Sequence, residues 1–297
     1  MSGAAIAGLA IMIVSETATL AGIEPFHGWN TPIAWTGFIL FADSIVYRKR
    51  GRSWLRSSPG EFMFLAIASI PLWLVFEFYN LYIDNWHYVG LPANPVLRNF
   101  GYAWSFATIS PAIFEAADLV DVCRGSPGAI PAAAGTSPRR PWLDAGSIVL
   151  GAVMLLWPLI WPSRYLAAPV WLGFIFLLEP LNERLGAESI YADARRGRYN
   201  RLVNLSLSGV LCGVLWEFWN YWAGGKWHYT VPIMENLKIF EMPVPGYLGF
   251  PAFALECFTM YVFLRAAIGR LVPAAAAFMH PIGDDVEFVT PARRRVH

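Results

Sequence analysis

Trp216-Glu217-Phe218-Trp219-Asn220, followed by Trp227-His228-Tyr229, decides the fold, because the chain carries a version of this stretch twice. The earlier version is Phe76-Glu77-Phe78-Tyr79-Asn80, followed by Trp86-His87-Tyr88, about 140 residues upstream. Further out, Trp35-Thr36-Gly37-Phe38-Ile39 returns as Trp171-Leu172-Gly173-Phe174-Ile175. Two tandem copies separated by small insertions account for this spacing. What recurs is mainly acidic, amide and aromatic residues set inside apolar runs, where a polar group is costly. The repeat therefore speaks to function as well as to architecture.

The surrounding composition names the solvent. The 297 residues are 56% hydrophobic and 14% charged, with mean hydropathy +0.44. A soluble domain carries about 25% charged residues, so this chain is too poor in charge to cover a water-facing surface. Its apolar runs are continuous and of membrane-spanning length, which favours helices over the alternating strands of a barrel. The expected class is an all-α, polytopic membrane protein. A net charge of +1 argues against nucleic acid as a partner. Cys123, Cys212 and Cys257 form no framework and read as reduced and structural. No basic residue precedes the apolar N-terminal run, so it reads as a retained helix and not a signal peptide.

Eight spans are predicted, roughly at 3–22, 30–47, 60–83 and 98–121 in the first copy, then 143–161, 165–181, 201–223 and 244–270. This divides the chain into a first four-helix repeat (1–121), a linker (122–141), a second repeat (142–270) and a tail (271–297). Pro32, Pro71, Pro111, Pro158, Pro180 and Pro251 fall in or near the spans, where neighbouring helices can satisfy the freed carbonyls. Basic residues cluster on one side: Arg48 to Arg56, Arg184 to Arg201, Arg124, Arg139, Arg140 and Arg293 to Arg295. By the positive-inside rule these segments face the cytoplasm, which places both termini inside the cytoplasmic (inner) membrane. Each copy has an even number of spans. Both then share one orientation, related by a pseudo-twofold axis along the membrane normal. The Gly/Pro/Ala-rich linker reads as flexible, and the tail after Pro281 as polar and unstructured.

The intramembrane polar residues are the candidate site. Asp43 matches Glu179, Glu77 matches Glu217, and Glu115 approximately matches Glu256. Glu77 and Asn80 stand three residues apart, as do Glu217 and Asn220, so each pair shares a helix face. A carboxylate at mid-bilayer costs roughly 2.5–3.5 kcal/mol; these groups should face the bundle interior, neutral and able to donate a proton. Glu217, Glu77, Glu256 and Glu115 are the catalytic candidates. Asn80, Asn220, Asp43, Glu179, Trp216, Trp219, Tyr79, His87 and His228 are the candidate binding residues. The competing reading has the Glu–Asn pairs simply bonding helix to helix. Trp86, Tyr88, Trp227 and Tyr229 read most simply as an interfacial aromatic belt at the outer face. His87 and His228 have no second ligand at helical spacing, and no H-x-x-H or C-x-x-C occurs, so neither a metal nor a cofactor is expected. The aromatic faces around the acids would shelter a carbocation, a polyene or a sterol-like ring.

Trp216-Glu217, Gly225-Lys226-Trp227-His228-Tyr229, Met242-Pro243 and the aromatic helix to Tyr261 together resemble the repeat of the small integral-membrane lycopene cyclases. Phe76-Glu77, Asn85-Trp86-His87-Tyr88 and Gly101-Tyr102-Ala103-Trp104 form a fainter version. The resemblance implies acid–base chemistry on a carotenoid or other isoprenoid, with Glu217 at the position of the family's W-D acid. The family's P-x-E-E motif is replaced here by Pro243-Val244-Pro245-Gly246, and each copy has one additional N-terminal helix. The expected partners are the lipid bilayer and an apolar isoprenoid or lipid ligand, with a further copy of the chain left open. A proton-coupled transporter and a non-catalytic pigment- or lipid-binding subunit are the competing functions.

Overall fold

The computed structural model describes residues 2–125, 139–272 and 277–284. The chain is mostly helical. Its elements are α1 (Gly3–Leu20), α2 (Phe26–Arg50), the short α3 (Trp54–Ser57), α4 (Pro59–Ile83), β1 (Trp86–Val89) and α5 (Pro95–Arg124). They continue with α6 (Pro141–Ile160), α7 (Ala167–Arg184), the short α8 (Ile190–Arg195), α9 (Asn200–Trp222) and β2 (Lys226–Tyr229). Strands β3 (Lys238–Ile239) and β4 (Met242–Pro243) lead through a 3-10 turn (Val244–Leu248) into α10 (Gly249–Leu271).

Among the described residues, five segments are long and apolar enough to cross a membrane: α1, α4, α6, α9 and the stretch from Val244 to Leu271. They turn large apolar side chains outward, among them Ile67, Leu81 and Val149, as lipid contact requires. Helices α2, α5 and α7 are of similar length but carry more charge. Asp43, Glu115, Asp118, Asp121 and Glu179 are buried in the protein instead of facing out. Helices α1 and α2 cross closely; a Cβ on Gly8 would lie 2.5 Å from the Gly37 carbonyl oxygen, so only glycine permits this approach.

The fold corrects the expected architecture in three places. The Trp-His-Tyr segments are not loops but strands, and β1 pairs antiparallel with β2. Aromatic and β-branched residues suit that conformation, and pairing satisfies backbone groups that the aromatic packing partly withdraws from water. The eighth expected span, 244–270, matches the apolar stretch Val244–Leu271, but its first turn is 3-10 (Val244–Leu248) and the α-helix proper starts at Gly249. Third, α5 runs on to Arg124, three residues beyond the expected boundary of the first repeat. The remainder of the expected linker, 126–138, and the tail arginines lie outside the described residues.

The basic side of the bundle also differs from expectation. The sequence assigned arginines to one side by count alone; several of them are buried against acids. Arg50 pairs with Asp118 at 3.1 Å and with Asp121, and Arg265 pairs with Glu61 at 2.7 Å and with Glu188. Arg201 meets the same Glu188 at 2.8 Å and also Asp193. The tail segment 277–284, expected to be unstructured past Pro281, is docked across this cluster. The His280 amide donates to Glu61 at 2.8 Å, the Ile282 carbonyl accepts from Arg201 at 3.0 Å, and Ile282 itself is wholly buried. Three buried guanidinium groups need more acceptors than the helices supply, and the strap's carbonyls provide them.

Candidate functional site

The two Glu–aromatic stretches meet through the β1–β2 ladder. Trp86 lies opposite Tyr229, His87 opposite His228 and Tyr88 opposite Trp227. Gly90 closes the ladder with φ of 66°, and a Cβ there would come within 1.9 Å of the Gly224 carbonyl oxygen. Asn80 and Asn220 hold the strands to their helices. The Asn80 side chain accepts from the Asn85 and Trp86 amides at 2.8 and 3.2 Å and donates to the Trp86 carbonyl at 2.8 Å. Asn220 makes the matching pair with the Trp227 amide and carbonyl, both at 2.9 Å. Both amides are thus committed to the strands, and neither lines a cavity.

Beneath this ladder lies a chamber of about 520 Å³, lined from α2, α4, α5, α7, α9, both strands and the start of α10. Its walls are largely aromatic. Trp73 packs 5.7 Å from Trp216 and 5.6 Å from Phe253, and Trp171 lies 5.2 Å from Phe253, between ring centroids. Trp86 and Trp227 are buried in this wall and not spread along an interfacial belt. The belt expectation treated each strand alone, whereas pairing turns their indoles inward.

Glu77 and Glu217 stand just behind the wall, each capped by a tyrosine that lines the chamber. The Tyr88 hydroxyl donates to Glu77 Oε1 at 2.5 Å, and the same oxygen accepts from the Trp73 and Trp86 indole N–H groups at 2.7 and 3.3 Å. The Tyr229 hydroxyl donates to Glu217 Oε1 at 2.8 Å and itself accepts from the Trp227 indole at 2.8 Å. Burial, reinforced by the neighbouring carboxylates, pushes both phenols well above their ordinary range, so they remain protonated at neutral pH. Tyr88 and Tyr229 are chamber-lining partners of the two glutamates that sequence reasoning took only for anchors. Their recurrence in both copies was the available signal.

The other expected residues are placed apart from the chamber wall, Trp216 excepted. Asp43 accepts the Leu55 amide at 2.9 Å, fixing α3. Glu179 accepts Ser189 and Thr259 hydroxyls, both at 2.8 Å, and the Tyr191 amide at 3.1 Å, fixing α8. Glu115 is fully buried on α5, between Asp43 and Asp118 in the charge field of that face. Glu256 is fully buried under the chamber floor, where Oε1 accepts the Phe174 amide at 3.1 Å and Oε2 has no partner among the described residues. Tyr79 and Trp219 are core aromatics; the Trp219 ring packs 4.8 Å from Trp35. His228 Nδ1 lies 2.9 Å from Glu241 Oε2, and its ring is 5.8 Å from that of His87. Among the described residues no three His, Cys, Asp or Glu side chains gather as metal ligands. No protein family model matches the chain, and neither does a curated protein or a solved structure. The chain is thus described at the level its structure supports: a multi-pass membrane protein by the length and composition of its helices, with buried carboxyl groups around an aromatic chamber.

Proposed function

We propose that this membrane protein holds one end of an isoprenoid chain in the aromatic chamber and isomerises it by acid–base chemistry, in the manner of the integral-membrane lycopene cyclases it resembles. The observation that carries this reading is the pair of tyrosine–glutamate couples opening on one chamber. A volume of about 520 Å³ falls within the range of small-molecule sites, roughly 300–1,000 Å³.

The two couples are unequal. Glu77 Oε1 accepts three hydrogen bonds and takes the role of base. Glu217 receives only the Tyr229 hydroxyl among side chains, and is the acid. With Glu217 protonated its hydrogen bond to Tyr229 reverses, so that Tyr229 takes the Glu217 proton as it passes its own to a terminal C=C. The cation is sheltered by the faces of Trp73, Trp216 and Phe253 while a neighbouring double bond closes onto it. A ring C–H then loses its proton to Tyr88 as Tyr88 gives its own to Glu77. Proton exchange with solvent restores Glu217 as acid and Glu77 as base between turnovers. Product and substrate are isomers, so no redox partner is consumed.

The matched strands and couples support reading 1–121 and 142–270 as copies about a pseudo-twofold axis, with eight spans. The arginine distribution supports placing both termini on the cytoplasmic side of the inner membrane. Expression in hosts accumulating lycopene or shorter prenyl lipids tests the activity. A new isomer of unchanged mass, lost with Glu217→Gln, is expected; unchanged lipid profiles would overturn the reading.

A further inference from the structure

We propose that the chamber's ligand is an amphiphile whose acidic head, a phosphate or diphosphate, is gripped at the chamber wall by Arg98. This rests on the isoprenoid reading above and narrows it. The chamber is lined by two cations, Arg98 and Lys226, and by no Asp or Glu. Glu77 and Glu217 are screened from it by Tyr88 and Tyr229. Its remaining surface is largely apolar, so its chemistry is that of a greasy tube with positive charge on its wall.

Arg98 stands out by what it lacks. Arg50, Arg201 and Arg265 are buried against two acids each. The Arg98 side chain, partly buried near the start of α5, makes no hydrogen bond or ion pair with the described residues. Its backbone amide donates to the Asn94 carbonyl at 3.0 Å, and its charge acts on the nearby Tyr102 phenol. A guanidinium offers a planar fork of donors that matches two phosphate oxygens at once, and it is strongest where water is excluded. Lys226 is the second cation. Its ammonium donates to the Tyr221 carbonyl at 3.1 Å and reaches Glu241 at 3.4 Å, leaving a third donor for a ligand. Phosphate is favoured over a neutral head because an uncharged group would leave the Arg98 charge uncompensated on an apolar wall.

The test uses the full chain in a non-ionic detergent. Saturable binding of radiolabelled geranylgeranyl diphosphate is measured with geranylgeraniol, inorganic diphosphate and phosphatidylglycerol as competitors. The diphosphate lipid should bind about tenfold to a hundredfold tighter than the alcohol, the magnitude of a charge-assisted contact. Inorganic diphosphate should compete weakly. Arg98→Gln should bring the diphosphate lipid down to the affinity of the alcohol, leave the alcohol unchanged, and be partly rescued by Arg98→Lys. Equal binding of alcohol and diphosphate, in a protein that binds both, overturns the headgroup inference and leaves the chamber reading standing. A preference that survives Arg98→Gln overturns it too, as does phosphatidylglycerol competing as well as the prenyl diphosphate, which marks an ordinary bilayer contact. Binding of neither prenyl compound overturns both readings.

Discussion

His87 and His228 sit opposite each other across a two-stranded ladder, rings 5.8 Å apart, yet among the described residues only His228 has a carboxylate partner, Glu241 at 2.9 Å. Two matching positions in sequence have thus acquired different surroundings. The difference comes from residues 230–248, an extended stretch after β2 that includes β3 and β4 and runs past the chamber. The corresponding connection after β1 is only a few residues long.

The Glu241 contact gives a pH dependence with a definite sign. Burial pushes its carboxyl up, but the hydrogen bond and charge of His228 together with Lys226 outweigh this and hold it below the ordinary 4.5. A lowered folded-state value contributes stability that is fully present above pH 4.5 and is lost as pH falls through the lowered value. Amide exchange in residues 238–243 should therefore accelerate below that point and not above it. Glu241→Gln should remove the dependence.

Tyr229→Phe keeps the ring and removes the hydroxyl that links Glu217 to the chamber. Product formation should fall by about 10²- to 10⁴-fold, the usual worth of a positioned proton donor, while binding of an isoprenoid alcohol stays within a few fold. Comparing turnover with equilibrium binding in this variant separates proton delivery from packing.

Asn220→Ala removes the clamp that satisfies the Trp227 amide and carbonyl. Leaving such buried groups unpaired costs about 1–3 kcal/mol each, so thermal unfolding in detergent should shift down by several degrees. Asn80→Ala should do the same at β1, and less severely, because its site is more open.

Glu188→Ala strips one acid from both Arg201 and Arg265. Breaking a buried pair on one side costs roughly 3–5 kcal/mol. Protease cleavage near residues 277–284 should become faster, since the Ile282 amide also reaches Glu188, at 3.4 Å.

Composition and apolar run length made the helices legible, because they report directly on solvent. The acid positions were legible too; Glu77 and Glu217 lie next to the chamber, as their recurrence led one to expect. What could not be read was pairing. The β1–β2 register brings together residues about 140 apart, and only that contact converts Trp86, Tyr88, Trp227 and Tyr229 from surface anchors into chamber wall. The same holds at the basic end, where counting arginines by side ignored Glu61, Glu188 and Asp193. Asp43 and Glu179, read from the sequence as candidate binding residues, accept hydrogen bonds that anchor a neighbouring short helix.

The ladder at one end and the arginine-bound strap at the other have a mechanical consequence. With β1 locked to β2 at one end, and Glu61 on α4 tied to Arg265 on α10 at the other, the bundle is riveted top and bottom. Wholesale rocking of one portion against the other would have to shear main-chain bonds and strand buried charge together. Access to the interior must then run sideways between helices, or past the stretch 230–248 that carries Glu241, while the frame itself stays still.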